Sequence, residues 1–315
     1  MVAPFPWFGG KARVAGEVWE ALGNVEHYVE PFAGSLAVLL QRPHVPRIET
    51  VNDLDGYVAN FWRAVRADPE GVAEYADWPV NETDLEARHL WLVNTGRQRL
   101  EALRSDPDYH DAQVAGWWVW GQCAWIGSGW CSGEGPWMLA GTAGRGINRQ
   151  LPNMHQGEGV NRWSLAGDGA LAAYILALSR RLRRVRVCCG DWARVVTDGA
   201  LNAGATVGVF LDPPYSDEVR TRGLYAQDNA GVDISRAVRE WALAHEGDSR
   251  LRIVLAGYEG EHAMPERWRV HAYRAKRAYG TAAGAGLMEG NNANRRRERL
   301  WFSPSCERAQ DVLPL

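Results

Sequence analysis

The chain has 315 residues, 46% hydrophobic and 23% charged, with 35 Lys+Arg against 38 Asp+Glu for a net charge of −3. At roughly 150 residues per domain this allows one large domain or two modest ones with a buried core, and excludes disorder over most of the chain. The balance of charge excludes a general attraction to polyanions, so a nucleic-acid surface must be local.

No run of about 18 apolar residues could span a membrane. Met1-Val2-Ala3-Pro4-Phe5-Pro6 lacks the basic-then-apolar layout of a signal peptide. Cys123, Cys131, Cys188, Cys189 and Cys306 are odd in number and too sparse for a disulfide scaffold, which fits a reducing cytoplasm. Cys123 and Cys131 with His110 or His155 match no compact zinc spacing, so no metal is expected. The arginine clusters at 180–186 and 295–299 read as solvated faces.

In chain order, His27-Tyr28-Val29 predicts a strand that breaks at Glu30-Pro31, turns at Gly34 and enters the apolar segment 36–40. Leu36 is read as already inside a helix there. Ile48-Glu49-Thr50-Val51 predicts a second strand ending at Asn52-Asp53. A helix follows, with Val58, Phe61, Trp62 and Val65 on one face. Strand, turn, helix, strand, helix implies a parallel sheet with helices on its faces.

Residues 66–110 read as charged helices, with Leu85, Leu92 and Leu100 among polar residues. Residues 111–165 then hold Trp117, Trp118, Trp120, Trp125, Trp130, Trp137 and Trp163 among many glycines, and most of these are expected in the core. Within this segment Gly144-Arg145-Gly146-Ile147-Asn148-Arg149 recurs as Gly157-Glu158-Gly159-Val160-Asn161-Arg162, which predicts two similar turns.

After a helix over 170–182, strands are predicted at 185–189, 207–211, 251–256, 269–274 and 298–302. Asp53, Asp191 and Asp212 then lie at carboxyl ends of strands, the edge at which open α/β sheets bind ligands. Asp212-Pro213-Pro214-Tyr215 is the most informative segment. Two prolines remove two amide donors and leave carbonyls free, Asp212 adds an acceptor, and Tyr215 an aromatic face. Together they suit a planar ligand with an exocyclic amine.

These segments resemble the Dam-like N6-adenine DNA methyltransferases. Trp7-Phe8-Gly9-Gly10-Lys11 is similar to that family's N-terminal cofactor motif, Glu30-Pro31-Phe32 with Gly34 to its glycine turn, and Asn52-Asp53 to its ribose-binding acid. Asp212-Pro213-Pro214-Tyr215 is similar to its catalytic tetrapeptide and 295–302 to its closing strand, all in family order. Leu36 departs from a glycine common in the family.

The resemblance implies a Rossmann-like S-adenosylmethionine-dependent methyltransferase fold. Residues 1–60 and 166–315 would form the catalytic domain, and 61–165 an inserted, mostly helical target-recognition domain. The expected cofactor is S-adenosylmethionine and the expected partner DNA, with the chain acting as a monomer and no membrane contact. Lys11 is expected to pair with the cofactor carboxylate beside the close-approach backbone of Gly9-Gly10, and Asp53, 19 residues after Gly34, to meet the ribose hydroxyls. Asp191 would accept from the cofactor's adenine, with Trp192 or Trp7 packed on the ring, and Glu30 would stand near the sulfonium. Arg145, Asn148, Arg149, Asn161 and Arg162 are candidate DNA contacts, weighed against two polar surface turns.

On this reading a flipped adenine offers its N6 amine to Asp212 and the Pro213 carbonyl while stacking on Tyr215. By residue chemistry alone N4 of cytosine fits equally, and only the family pattern leans towards adenine. An RNA substrate and a DNA-binding protein of the same fold without turnover stay open as alternatives. So do phage self-protection, a restriction endonuclease partner and repair signalling as the biological setting.

Overall fold

The computed structural model describes the chain except residues 8, 107, 126–129, 132–158, 216–230, 274–297 and 309–315. In chain order the elements are α1 (Ala15–Leu22), β1 (His27–Glu30), β2 (Ile48–Asp53), α2 (Gly56–Ala67), α3 (Pro69–Ala76), α4 (Glu82–Trp91), α5 (Arg97–Leu100) and α6 (Ala112–Ala124). There follow α7 (Asn161–Ser164), α8 (Ala170–Leu182), β3 (Val185–Cys189), α9 (Asp198–Leu201), β4 (Val207–Leu211), α10 (Gly231–His245), β5 (Leu251–Tyr258), β6 (Arg269–Ala272) and β7 (Glu298–Phe302).

The strands form one seven-stranded sheet in the order β3-β2-β1-β4-β5-β7-β6. The first five run parallel, as the alternating pattern implied, whereas β7 is antiparallel to both β5 and β6. Strand order reverses between β1 and β4. Connections from those two strands leave on opposite sides, which opens a crevice at their carboxyl ends. The architecture is mixed α/β and compatible with a methyltransferase fold.

β1 and β4 are buried along their whole length, as expected of parallel strands covered on both faces. On one face Val58, Phe61 and Trp62 of α2 share a core with Val72 and Ala76 of α3, Trp118 of α6 and Leu171 and Ile175 of α8. On the other, Val209 and Leu211 of β4 and Ile253 of β5 meet Val238 and Ala242 of α10 and Trp268. Local signals start the helices: Asp55, Asp68 and Asp111 cap α2, α3 and α6 through their side chains, and Pro69 occupies the first turn of α3. A boundary at 60/61 would fall inside α2, and α3 and α6 are continuous with the core of the sheet's helical layer.

The turn after β1 departs from expectation. Residues 36–40 form no α-helix, only a 3-10 turn over Leu39–Gln41, and Leu36 sits in the left-handed region at φ 53°. Its side chain is fully buried. Hydrophobic burial therefore holds a leucine where backbone preference favours glycine.

Candidate active site

Four strand ends converge on the crevice. β1 ends at Glu30, β2 at Asp53, β3 leads through Gly190 into Asp191, and β4 leads into Asp212. Asn52 ties three of these exits together, donating through Nδ2 to the Pro31 carbonyl at 3.0 Å and to the Gly190 carbonyl at 2.9 Å. Its role went unseen in the sequence, where Asn52 read only as the neighbour of Asp53.

Asp53 accepts from the Gly34 amide through Oδ2 and the Asp55 amide through Oδ1, both at 2.9 Å. Each oxygen keeps a lone pair for a further donor. Burial, with the nearby Asp55 carboxylate, pushes the Asp53 pKa up to about 7 against these amide bonds. Gly34 allows this arrangement in two ways. Its φ is +43°, and a Cβ there would lie 2.6 Å from the Trp7 indole. Trp7 is thereby packed over the glycine turn, with Phe5 and Trp118 at ring-centroid distances of 5.7 and 6.4 Å.

Lys11 is buried, and its ammonium lies 2.8 Å from Asp212 Oδ1, 2.6 Å from the Gly9 carbonyl and 5.3 Å from the Tyr215 ring centroid. Gly9, at φ +72°, and Gly10, whose amide donates to the Trp7 carbonyl, form the turn that delivers it. Burial alone would lower the Lys11 pKa, but Asp212, Glu298 and Glu261 outweigh it and hold the ammonium charged. One cation cannot balance three acids. Burial accordingly raises both Asp212 and Glu298, and Lys11 offsets this only in part.

Tyr215 is buried, and its hydroxyl donates to Glu298 Oε2 at 2.9 Å and lies 3.3 Å from Asp212 Oδ1. Tyr273 donates to the same Glu298 oxygen at 2.7 Å, and the Tyr258 ring packs edge-on to Tyr215 at 4.5 Å. Glu298 was not singled out beforehand. Its signal was a lone acid in register with Leu300 and Phe302 on the buried side of β7.

Glu30 is buried, accepts from the Tyr28 hydroxyl at 3.0 Å, and is raised well above the usual carboxylate range, chiefly by burial. Phe32 and Trp192, both half-buried, stack at 6.2 Å with 26° between their planes. Asp191 is exposed and caps the turn over Trp192–Val195 by accepting from the Ala193 amide. That occupies one oxygen only.

Among the proposed DNA contacts, Arg145, Asn148 and Arg149 lie outside the described residues. Asn161 does not reach solvent: it is buried at the start of α7, against its expected place on a polar turn. Gly159 just before it packs so closely that a Cβ would meet the Pro4 carbonyl at 2.5 Å. Arg162 is exposed, with its guanidinium over the Trp163 ring. No helix among the described residues is long and apolar enough to cross a membrane.

Residues 7–104 match the family described as D12 class N6 adenine-specific DNA methyltransferase. The match takes in Trp7 to Lys11, Glu30 to Gly34 and Asp53, while Asp191, Asp212 to Tyr215 and Glu298 lie beyond it. No curated protein matches the chain. With its N-terminal motif meeting an Asp-Pro-Pro-Tyr segment at the reversal of a mostly parallel sheet, the chain carries a D12 class N6 adenine-specific DNA methyltransferase domain at residues 7–104 and is an adenine-specific DNA methyltransferase.

Proposed function

We propose that the crevice between β1 and β4 holds S-adenosylmethionine, the donor that the family implies, and that Asp212 to Tyr215 receive the flipped adenine. The single observation carrying this is the Lys11–Asp212 contact of 2.8 Å, which joins the N-terminal motif to the tetrapeptide across 200 residues of chain. The residues present fit the donor. Asp53 has unused lone pairs for a ribose diol, Phe32 and Trp192 offer half-buried faces for an adenine, and Asp191 has a free oxygen for its amine. Gly34, Gly9 and Gly10 let the backbone come close, with Trp7 packed behind them.

S-adenosylmethionine supplies a methyl group on a cationic sulfur. Glu30, whose carboxyl burial holds well above the usual carboxylate range, stands at the end of β1, where such a cation would favour its ionised form. Lys11 is assigned to the carboxylate end of the donor. Moving there loosens its hold on Asp212. Lys11 and Tyr215 both meet Asp212 at Oδ1, so Oδ2 is the oxygen to accept a hydrogen from the target amine, with the Pro213 carbonyl as the second acceptor. Two such bonds favour a tetrahedral nitrogen whose lone pair is localised for attack.

In a duplex the N6 amine is paired, so the nucleotide must leave the stack at a cost of about a few kcal/mol. Tyr215 is the assigned stacking face, held by Glu298 and Tyr258. Arg162 supports the assignment of target contacts to the segment 61–165, being exposed on α7. The test is methyl transfer from labelled donor to unmethylated DNA, followed by nucleoside analysis. N6-methyladenine is expected, and Asp212→Ala should abolish it while DNA binding persists. Near-normal transfer by that variant defeats the assigned role of Asp212.

A further inference from the structure

A second cavity, of ≈ 480 Å³, lies among the helices on one face of the sheet and shares no residue with the candidate active site. Its walls are Tyr75, Trp78, Trp91 and Trp117, with Arg88 and Glu74 as polar groups. Arg88, from α4, is 8% exposed. Its guanidinium carbon lies 4.2 Å from the Trp120 ring centroid, 5.1 Å from Trp117 and 5.2 Å from Trp78. Its Nη1 is buried without a hydrogen-bond partner among the described residues.

Cation–π contacts compensate part of the desolvation of this charge, but they satisfy no N–H. The walls are braced from behind. Trp78 donates to Asp84 Oδ2 at 2.7 Å, Trp120 donates to the Trp78 carbonyl at 2.8 Å, and Trp91 meets Trp117 edge-on at 4.9 Å. Asp84 Oδ2 is engaged in that bracing and also accepts from Asn81 Nδ2, the residue that caps α4. Glu74, exposed at the cavity, makes no ion pair or hydrogen bond among the described residues.

We infer that this cavity binds a guanine base. Its volume is within the usual range for small-ligand sites, about 300–1,000 Å³, and its walls are aromatic planes on which a base can stack. Two carboxylates against one guanidinium disfavour a phosphate or carboxylate as the main ligand. An uncharged ring with acceptors for arginine and donors for a carboxylate is required. Guanine has both: O6 and N7 are the acceptors arginine pairs with, and N1–H and the N2 amine form a donor edge that suits Glu74. Adenine and cytosine offer one donor group and thymine one N–H, so they satisfy this pair of residues less fully.

Guanine could arrive as a free nucleotide or as an unpaired base of a DNA strand, and the test separates these sources. Binding of the four nucleoside monophosphates, of oligothymidylate, and of oligothymidylate carrying one guanine is measured by calorimetry on the full chain. Wild-type, Glu74→Gln and Arg88→Lys proteins are compared. Guanosine monophosphate, the guanine-bearing strand, or both should bind at least tenfold more tightly than their guanine-free counterparts. Glu74→Gln should cut that preference about tenfold, as expected for a lost bond to a charged acceptor. Glu74 is exposed, so its variant stays informative even where Arg88→Lys unfolds the helix packing. Absence of a guanine preference in both the monophosphates and the strands, displacement by inorganic phosphate alone, or an unchanged preference in Glu74→Gln overturns the inference. None of these outcomes bears on methyl transfer, which is measured separately.

Discussion

The raised pKa of Asp53 makes donor binding sensitive to pH in a definite direction. With a value of about 7, the carboxyl is roughly nine-tenths ionised at pH 8 and one-tenth at pH 6. Ribose hydroxyls donate to the ionised form, so affinity should rise about tenfold from pH 6 to pH 8 and level off above it. Stability runs the other way. A carboxyl whose folded pKa exceeds its unfolded value near 4 favours the fold when protonated, and that contribution is lost as pH rises from about 4 to about 7. Better folding therefore cannot mimic tighter binding. The assay is calorimetric titration with S-adenosylhomocysteine in two buffers of different ionisation enthalpy, which also reads the proton released on binding at pH 6. Asp53→Asn should bind more weakly with a flat profile across this range, which separates Asp53 from Asp55, whose pKa is also raised by burial. Affinity that falls towards pH 8, or the same slope in the asparagine variant, refutes the assignment.

Gly34→Ala should lower both melting temperature and donor affinity, because the new Cβ combines φ +43° with a 2.6 Å approach to Trp7; the strain is about 1–2 kcal/mol before any clash. Unchanged melting would show that Trp7 yields freely. Leu36→Gly relieves a similar backbone cost but deletes a fully buried side chain worth about 2–5 kcal/mol, so thermal unfolding should move down despite the φ of 53°. Glu298→Ala leaves the Tyr215 and Tyr273 hydroxyls without their shared acceptor. We expect about a tenfold or greater fall in kcat with a smaller change in KM, and partial rescue by Glu298→Gln, whose amide oxygen can still accept. An equal loss in both variants would assign Glu298 a charge effect instead of a positioning one.

Several pieces of the fold were legible because they are written locally. The helical face of Val58, Phe61, Trp62 and Val65, the strands at 185–189, 207–211 and 298–302, and the helix at 170–182 stand where periodicity put them. Leu36 was misread because an apolar run looks the same whether it enters a helix or fills a core, and only packing told them apart. The Trp-rich segment was legible in part: Trp118, Trp120 and Trp125 are buried, as composition suggested. The Arg88 cavity was not, since Trp78 lies between α3 and α4, Arg88 on α4 and Trp117 on α6.

What the sequence determined on its own was the chemical inventory and its order: a lysine after two glycines, acids at strand ends, and an acid followed by two prolines and a tyrosine. These follow from short-range rules of backbone and side-chain chemistry. Which acid meets which cation was decided only by the tertiary structure. Strand order reverses between β1 and β4, bringing residues 11, 212, 215 and 298 into one buried cluster, and there a single ammonium must serve more carboxylates than it can neutralise. Charge balance in a low-dielectric crevice depends on neighbours distant in sequence, so no local pattern could have announced it.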